Sequence, residues 1–185
     1  TGGQGKLVMF SANDGVGGEA QGERASLTVA KFLDQADYTH KGILGALREA
    51  HKINDANERA STTAIALIDE RRKLAVYIAG DSRVLVWRRG EFMLFTHRDK
   101  IIGTSTILKG IGISGEYSKY ELQLEIGDIV LAFTDGMNLG SENIKRIIAE
   151  HINKENAAQE IVQSLVDASH PHEGDNKTVV SYIVP

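Results

Sequence analysis

Cysteine is absent from this 185-residue chain, which excludes disulfides and thiolate metal sites and allows a reducing compartment. A basic excess is also lacking, with 21 Lys and Arg against 25 Asp and Glu and a formal net charge of −4. A binder of the phosphate backbone should carry a basic stripe, so nucleic acid is not an expected partner. The local pairs Arg71-Arg72 and Arg88-Arg89 read as solvated faces. No apolar run approaches the ~18 residues of a membrane span, and no signal-peptide pattern opens the chain. A soluble, cytoplasmic protein is the expectation. Internal repeats, low-complexity tracts and linkers are missing too. One domain over residues 1–185 is therefore expected, long enough to bury roughly 70% of its unfolded surface.

Periodicity supplies the fold class. Residues 6–12 form a short apolar run that reads as a buried strand. Residues 19–36 place Ala25, Val29, Phe32, Leu33 and Ala36 at spacings of three and four, the mark of an amphipathic helix. A second helix over 41–57 shows Ile43, Leu47, Ala50 and Asn54 on one side, with His51 near that face as a packed or half-exposed histidine. The period then changes. Residues 62–69, 74–79, 84–88 and 92–95 are β-rich runs divided by short polar turns, which predicts an antiparallel meander. Residues 129–134 continue the strand pattern. Two more helices follow, one capped by Ser141 and one opened by Asn156 with Gln159, and 179–184 closes as a strand. The order predicts an α+β fold with helices covering sheets, rather than a doubly wound parallel sheet.

Three aspartates stand at strand boundaries: Asp14 after residues 6–12, Asp135 after 128–134, and Asp175 before 177–184. Carboxylates at neighbouring strand ends converge, and hard divalent cations prefer oxygen ligands. The three read as one metal centre. Gly15, next to Asp14, lets the backbone carbonyl approach a cation closely. The stretch Gly15-Val-Gly17-Gly18-Glu-Ala20 also satisfies the dinucleotide pattern G-x-G-x-x-A, but a second helix, not a parallel strand, is expected after the first. Asp81 and Asp128 read as turn-closing aspartates, and His170 and His172 as solvated loop imidazoles rather than a zinc site.

Five ordered motifs carry a resemblance. They are Phe10-Ser-Ala-Asn-Asp14-Gly-Val-Gly-Gly18 with Gly22-Glu-Arg-Ala-Ser26; Ser61-Thr-Thr-Ala64; Ala79-Gly-Asp-Ser-Arg83; Gly127-Asp-Ile-Val-Leu-Ala-Phe-Thr-Asp-Gly136; and Asp175-Asn-Lys-Thr-Val-Val180. Together they resemble the metal-dependent protein phosphatases of the protein phosphatase 2C type. The resemblance implies a β-sandwich of mainly antiparallel strands flanked by helix pairs. It implies two Mn²⁺ or Mg²⁺ ions, bridged by Asp14, with the Gly15 carbonyl on one and Asp135 and Asp175 on the other. A water activated by two such ions would attack phosphoserine or phosphothreonine directly, without a phosphoenzyme.

The chain departs from the family pattern in places. Ahead of Asp14 there is no arginine to grip the phosphate and no acid for a second metal; Lys6 is the one charged residue in 1–13. Residues 1–5 read as a loop or an expression scar, and an N-terminal strand segment is expected to be missing. Val16 stands where some members carry a histidine, and there is little room for a flap between Thr96-His-Arg-Asp99 and Gly112. Arg83 and Arg98 are the in-chain candidates for the missing phosphate grip. A short flap resembles the stress-response and sporulation-regulator branch, whose substrates are small phosphorylated regulatory proteins. The alternative is a non-catalytic binding module with an incomplete metal site.

Overall fold

A computed structural model of the protein describes residues 7–16, 20–99, 101, 106–169 and 176–185. Two antiparallel sheets face each other. One has the order β1 (Val8–Val16), β2 (Ala60–Ile68), β3 (Lys73–Ala79), β6 (Ser118–Gln123); the other runs β5 (Glu91–Phe95), β4 (Arg83–Arg88), β7 (Ile129–Phe133), β8 (Val179–Ile183). Alternation along each strand divides the apolar residues between two faces. Ala12, Ala64, Val76, Val84, Val130 and Val184 fill the space between the sheets. The opposite residues, such as Ile65, Tyr77, Leu85 and Leu131, look outward and need cover.

Helices supply that cover. Helix α1 (Ala20–Asp34) and α2 (His40–Asp55) lay Val29, Leu33, Ile43 and Leu47 over the first sheet. Helix α3 (Ser141–His151) and α4 (Ala157–Ala168) lay Ile144, Ile148, Ile161 and Leu165 over the second. The helical faces are those the spacing predicts. The β-sandwich with helix pairs is likewise the expected fold.

Several local expectations are corrected. Asp14 and Gly15 do not form a turn after β1. They lie inside it, opposite Thr62 and Ser61 of β2. The meander breaks between β3 and β4, because Gly80-Asp81-Ser82 carries the chain from one sheet to the other. Gly80 has φ +98°, and a Cβ there would stand 2.5 Å from the Thr62 side chain. Strand β6 has no counterpart in the periodic reading; its Lys119 and Glu121 are exposed between half-buried Tyr120 and Leu122, as befits a polar edge. Ser141 does not cap α3, where Gly140 holds the cap position. Asn156 holds the cap position of α4 without a side-chain hydrogen bond. His51 is structural, its Nδ1 accepting from Gly112 N at 2.9 Å.

The register fixes which strand ends share a side of the sandwich. The C-terminal end of β1 lies beside the start of β2 and the end of β3. Arg83, which opens β4, pairs with Phe133, which ends β7, and Phe133 pairs with Val179, which opens β8. The short Gly80–Ser82 link joins the two sets, so Asp14 and Asp135 belong to one end.

Candidate metal centre

Asp14 shares the parity of Phe10 and Ala12, whose side chains fill the space between the sheets. That places it on the inner face of β1, at the open end of the sandwich. Its carbonyl accepts a hydrogen bond from Ser61 Oγ at 2.7 Å. Gly15 is held by a different demand from the one its sequence context suggests. A Cβ there would lie 2.1 Å from the Gly22 carbonyl carbon, so the backbones of β1 and α1 meet without side chains. The same close approach sets the path of the chain on either side of the Gly15 carbonyl.

Asp135 sits in the turn after β7, half-buried, where Met137 N donates to Thr134 O at 3.2 Å. Thr134 is the pivot of this corner. Its Oγ1 accepts from Thr178 N at 3.1 Å and donates to Asn176 O at 3.3 Å, while its own N–H donates to Thr178 O at 3.1 Å. The backbone before β8 is thereby tied to the residue before Asp135. Asp175 lies outside the described residues; its chain neighbour Asn176 is brought to this corner. His170 and His172 are outside the described residues as well, as are Gly17 and Gly18.

A layer of hydroxyls lines the same end. Ser61, Thr62, Ser82 and Thr134 are all buried, and Thr62 Oγ1 meets Ser82 Oγ at 2.7 Å across the two sheets. Thr62 and Thr134 share the inner-face parity of Ala64 and Ala132, while Ser61 shares the outer-face parity of Ile65. Sequence motifs contain these residues, but only the register shows that they gather at one end. The signal in the sequence was the cluster of small hydroxyl residues at 61–63 in an otherwise apolar strand.

The candidate donors are all oxygen: the carboxylates of Asp14 and Asp135 and the Gly15 carbonyl, with hydroxyls nearby. That chemistry fits Mg²⁺ or Mn²⁺. Among the described residues no three His, Cys, Asp or Glu side chains gather in ligating distance of one another.

The other sequence candidates separate clearly. Asp81 is buried in the sheet-crossing turn. Asp128 closes its own turn by accepting from Glu125 N at 2.8 Å and is held by Arg88. Thr96 is wholly structural, exchanging bonds with Val84 through both its backbone N–H and its Oγ1, each at 3.0 Å. The dinucleotide reading is excluded by topology, since β1 is antiparallel to its neighbour and α1 leads into α2. Among the described residues no helix is long and apolar enough to cross a membrane.

Comparison with known proteins gives the same architecture. The catalytic domain of the serine/threonine phosphatase PstP, solved with two manganese ions, superposes at TM-score 0.75 with 22% identity over 96% of this chain and 88% of that one. PppA, described as a key regulatory component of T6SS in Pseudomonas aeruginosa, matches at TM-score 0.78 and 18% identity, over 94% of this chain and 84% of that one. RsbX, solved with magnesium, matches at TM-score 0.72 and 18% identity, over 95% and 80%. Likeness at these identities carries the fold. A search of curated protein sequences finds no significant match. The family model of stage II sporulation protein E matches residues 15–179, which begin one residue after Asp14 and take in Asp135 and every element from α1 to α4. The chain belongs to the stage II sporulation protein E (SpoIIE) family and has the fold of the metal-dependent serine/threonine protein phosphatases.

Proposed function

We infer that this chain hydrolyses phosphoserine or phosphothreonine in a regulatory phosphoprotein, with Mn²⁺ or Mg²⁺ held by Asp14, Gly15, Asp135 and Asp175. The observation that carries the reading is the oxygen-rich end of the sandwich. Asp14, Thr62 and Thr134 share the inner-face parity that Ala12, Ala64 and Ala132 fill with apolar side chains further along the same strands, and Asp135 follows in the adjoining turn. Carboxylates placed together repel one another and raise the cost of folding unless a cation joins them. Divalent ions there would acidify a water and offset charge on the phosphoryl oxygens. Family membership and the manganese and magnesium structures of PstP and RsbX support that choice of metal.

The chain's own residues position the groups. Ser61 fixes the backbone at Asp14, and Thr134 fixes the Asp135 turn against the strand that follows Asp175. Gly15 keeps its carbonyl unobstructed by any side chain of its own. The reading includes a cytoplasmic setting and a small regulatory phosphoprotein as substrate, and family membership supports it.

A second reading is a non-catalytic module that docks a phosphoprotein through an incomplete metal site; it is supported by the shared fold with PppA, described as a key regulatory component of T6SS. One experiment separates the two. Phosphate release from a phosphothreonine peptide is measured with millimolar Mn²⁺, with EDTA, and with Asp135→Asn. Turnover is expected to need the metal and to fall at least about 100-fold in Asp135→Asn, as loss of a direct ligand should exceed loss of a supporting one. The variant should melt no lower than the parent, since a repulsive charge has been removed. Metal-independent turnover, or near-native activity in Asp135→Asn, would overturn the assignment.

A further inference from the structure

Strand β6 closes the first sheet. Among the described residues it is bonded to β3 and to no other strand, so its second edge is open. Its inner residues Tyr120 and Leu122 pack against the core between the sheets yet stay half-buried, as does Leu94 of β5 beside the same core. Its outer residues Lys119 and Glu121 are exposed. Tyr117, just before the strand, is 36% exposed, with its ring edge-on to Tyr77 at 5.8 Å. The strand thus offers a second chain a ladder of N–H and C=O groups with apolar flanks.

The charges on this edge alternate in sign. Lys119 Nζ and Lys73 Nζ each stand 2.6 Å from a Glu121 oxygen. The Lys119 hydrogen bond, and after it that of Lys73, pulls the Glu121 carboxyl down to about 2, so the negative charge is fixed. An edge of one sign would repel a copy of itself in every register. This edge repels a copy only in the wrong ones. A two-fold antiparallel pairing is defined by the residue that sits on its axis. With Lys119 on the axis, Lys119 faces its own copy; with Glu121 there, carboxylate faces carboxylate. With Tyr120 on the axis, Lys119 of each copy faces Glu121 of the other, and exposed Tyr117 faces exposed Gln123. On the inner face the two Tyr120 side chains meet, an aromatic cross-strand pair over the half-buried seam.

We propose that two copies of this chain join through β6, antiparallel about a two-fold axis at Tyr120, making their two four-stranded sheets continuous. The pairs within each chain need not break, because an ammonium has three donors and each carboxylate oxygen accepts more than one hydrogen bond. Six residues a side make a short contact, so the dimer depends on concentration. Both copies spend the same edge on each other, so assembly closes at two and does not grow into a fibre. Asp14 lies on β1, at the opposite edge of the sheet, so the pairing leaves the candidate metal centre open. The inference does not depend on the phosphatase reading.

Sedimentation velocity at low salt tests the pairing. Over a series reaching on the order of 100 µM, the parent should move from the mass of one chain to that of two. Lys119→Glu and Glu121→Lys each set like charges across the axis, and each should raise the dissociation constant at least about 10-fold. Mixed in equal amounts, the two variants should pair with each other, since an acidic edge then meets a basic one. The double exchange, Lys119→Glu with Glu121→Lys, should recover the parent's dimer, because the signs still alternate. These positions are exposed, so melting should change little. If Glu121→Lys fails to fold by circular dichroism, Lys119→Glu and the double exchange decide: the first should be monomeric and the second dimeric. A parent that stays monomeric throughout the series overturns the proposal. A dimer unmoved by both single reversals overturns it too, as does a mixture of the two that does not associate.

Discussion

Strand β4 has an arginine at each end, and the two live in opposite electrostatic worlds. Arg88, at the far end, lays its guanidinium flat against Asp128, with Nε to Oδ1 and Nη2 to Oδ2 both at 2.7 Å. Nη1 meets Glu125 at 2.8 Å and Nη2 also donates to Gln123 O at 3.0 Å. The Asp128 hydrogen bond holds that guanidinium above its ordinary value. Arg83, at the near end, is pulled down by burial and by a second arginine. One end of the sandwich is electrostatically closed: each charge has its counter-charge within the chain, and the cluster seals a turn. The other end holds Asp14, Asp135 and a set of buried hydroxyls, the groups to which the proposed function gives metal binding.

The largest stability effect should come from the closed end. Asp128 is 1% exposed and Arg88 is 15% exposed. Asp128→Ala would leave the half-buried Arg88 guanidinium with Glu125 and Gln123 O alone and the Glu125 N–H without its acceptor, at a cost of about 3 kcal/mol. That should lower the melting temperature by about 10 °C, read by calorimetry. A loss comparable to the small change expected for Asp135→Asn would erase the contrast between the ends. Next comes Gly15→Ala, in which the new methyl meets the α1 backbone. Forcing β1 and α1 apart should cost about 1–3 kcal/mol, read by urea unfolding. Because Asp14 moves with the strand, activity should fall by more than the stability loss explains. Full activity in a destabilised Gly15→Ala would separate the strand–helix contact from the site.

The fold was legible because its periodicities are strong. Val29, Leu33, Ile43 and Leu47 announce the helical faces, and runs such as 74–79 can only be buried strands. Strand β6 was not legible, because a polar edge strand with Lys119 and Glu121 looks like a loop. The crossing at Gly80–Ser82 was also hidden: a glycine turn between two strands reads as a hairpin, and only the hydrogen-bond register shows the change of sheet. For the site, Asp14 and Asp135 stood out beside their glycines. Their shared end follows from the crossing turn, which no local pattern encodes.

The smallest effect is the sharpest test of the contrast on β4. Burial and the nearby Arg98 charge lower the folded value of Arg83 to about 10. Between that pH and the ordinary guanidinium range the unfolded chain holds a proton at this position that the folded chain has released. Stability therefore rises with pH across that window, and the penalty of the buried charge is present in full below it. Arg83→Met keeps length and apolar contact with Phe95 but has no charge to bury. Relative to this variant, the parent should gain roughly 1 kcal/mol between pH 9.5 and pH 11.5, the figure being reduced for partial solvent screening. Urea unfolding of both proteins at the two pH values reads the difference. The same comparison with Arg88→Met should show no such gain, since the Asp128 carboxylate favours the charged form throughout. Equal behaviour of the two variants would mean that the ends of β4 do not differ in the way their partners indicate.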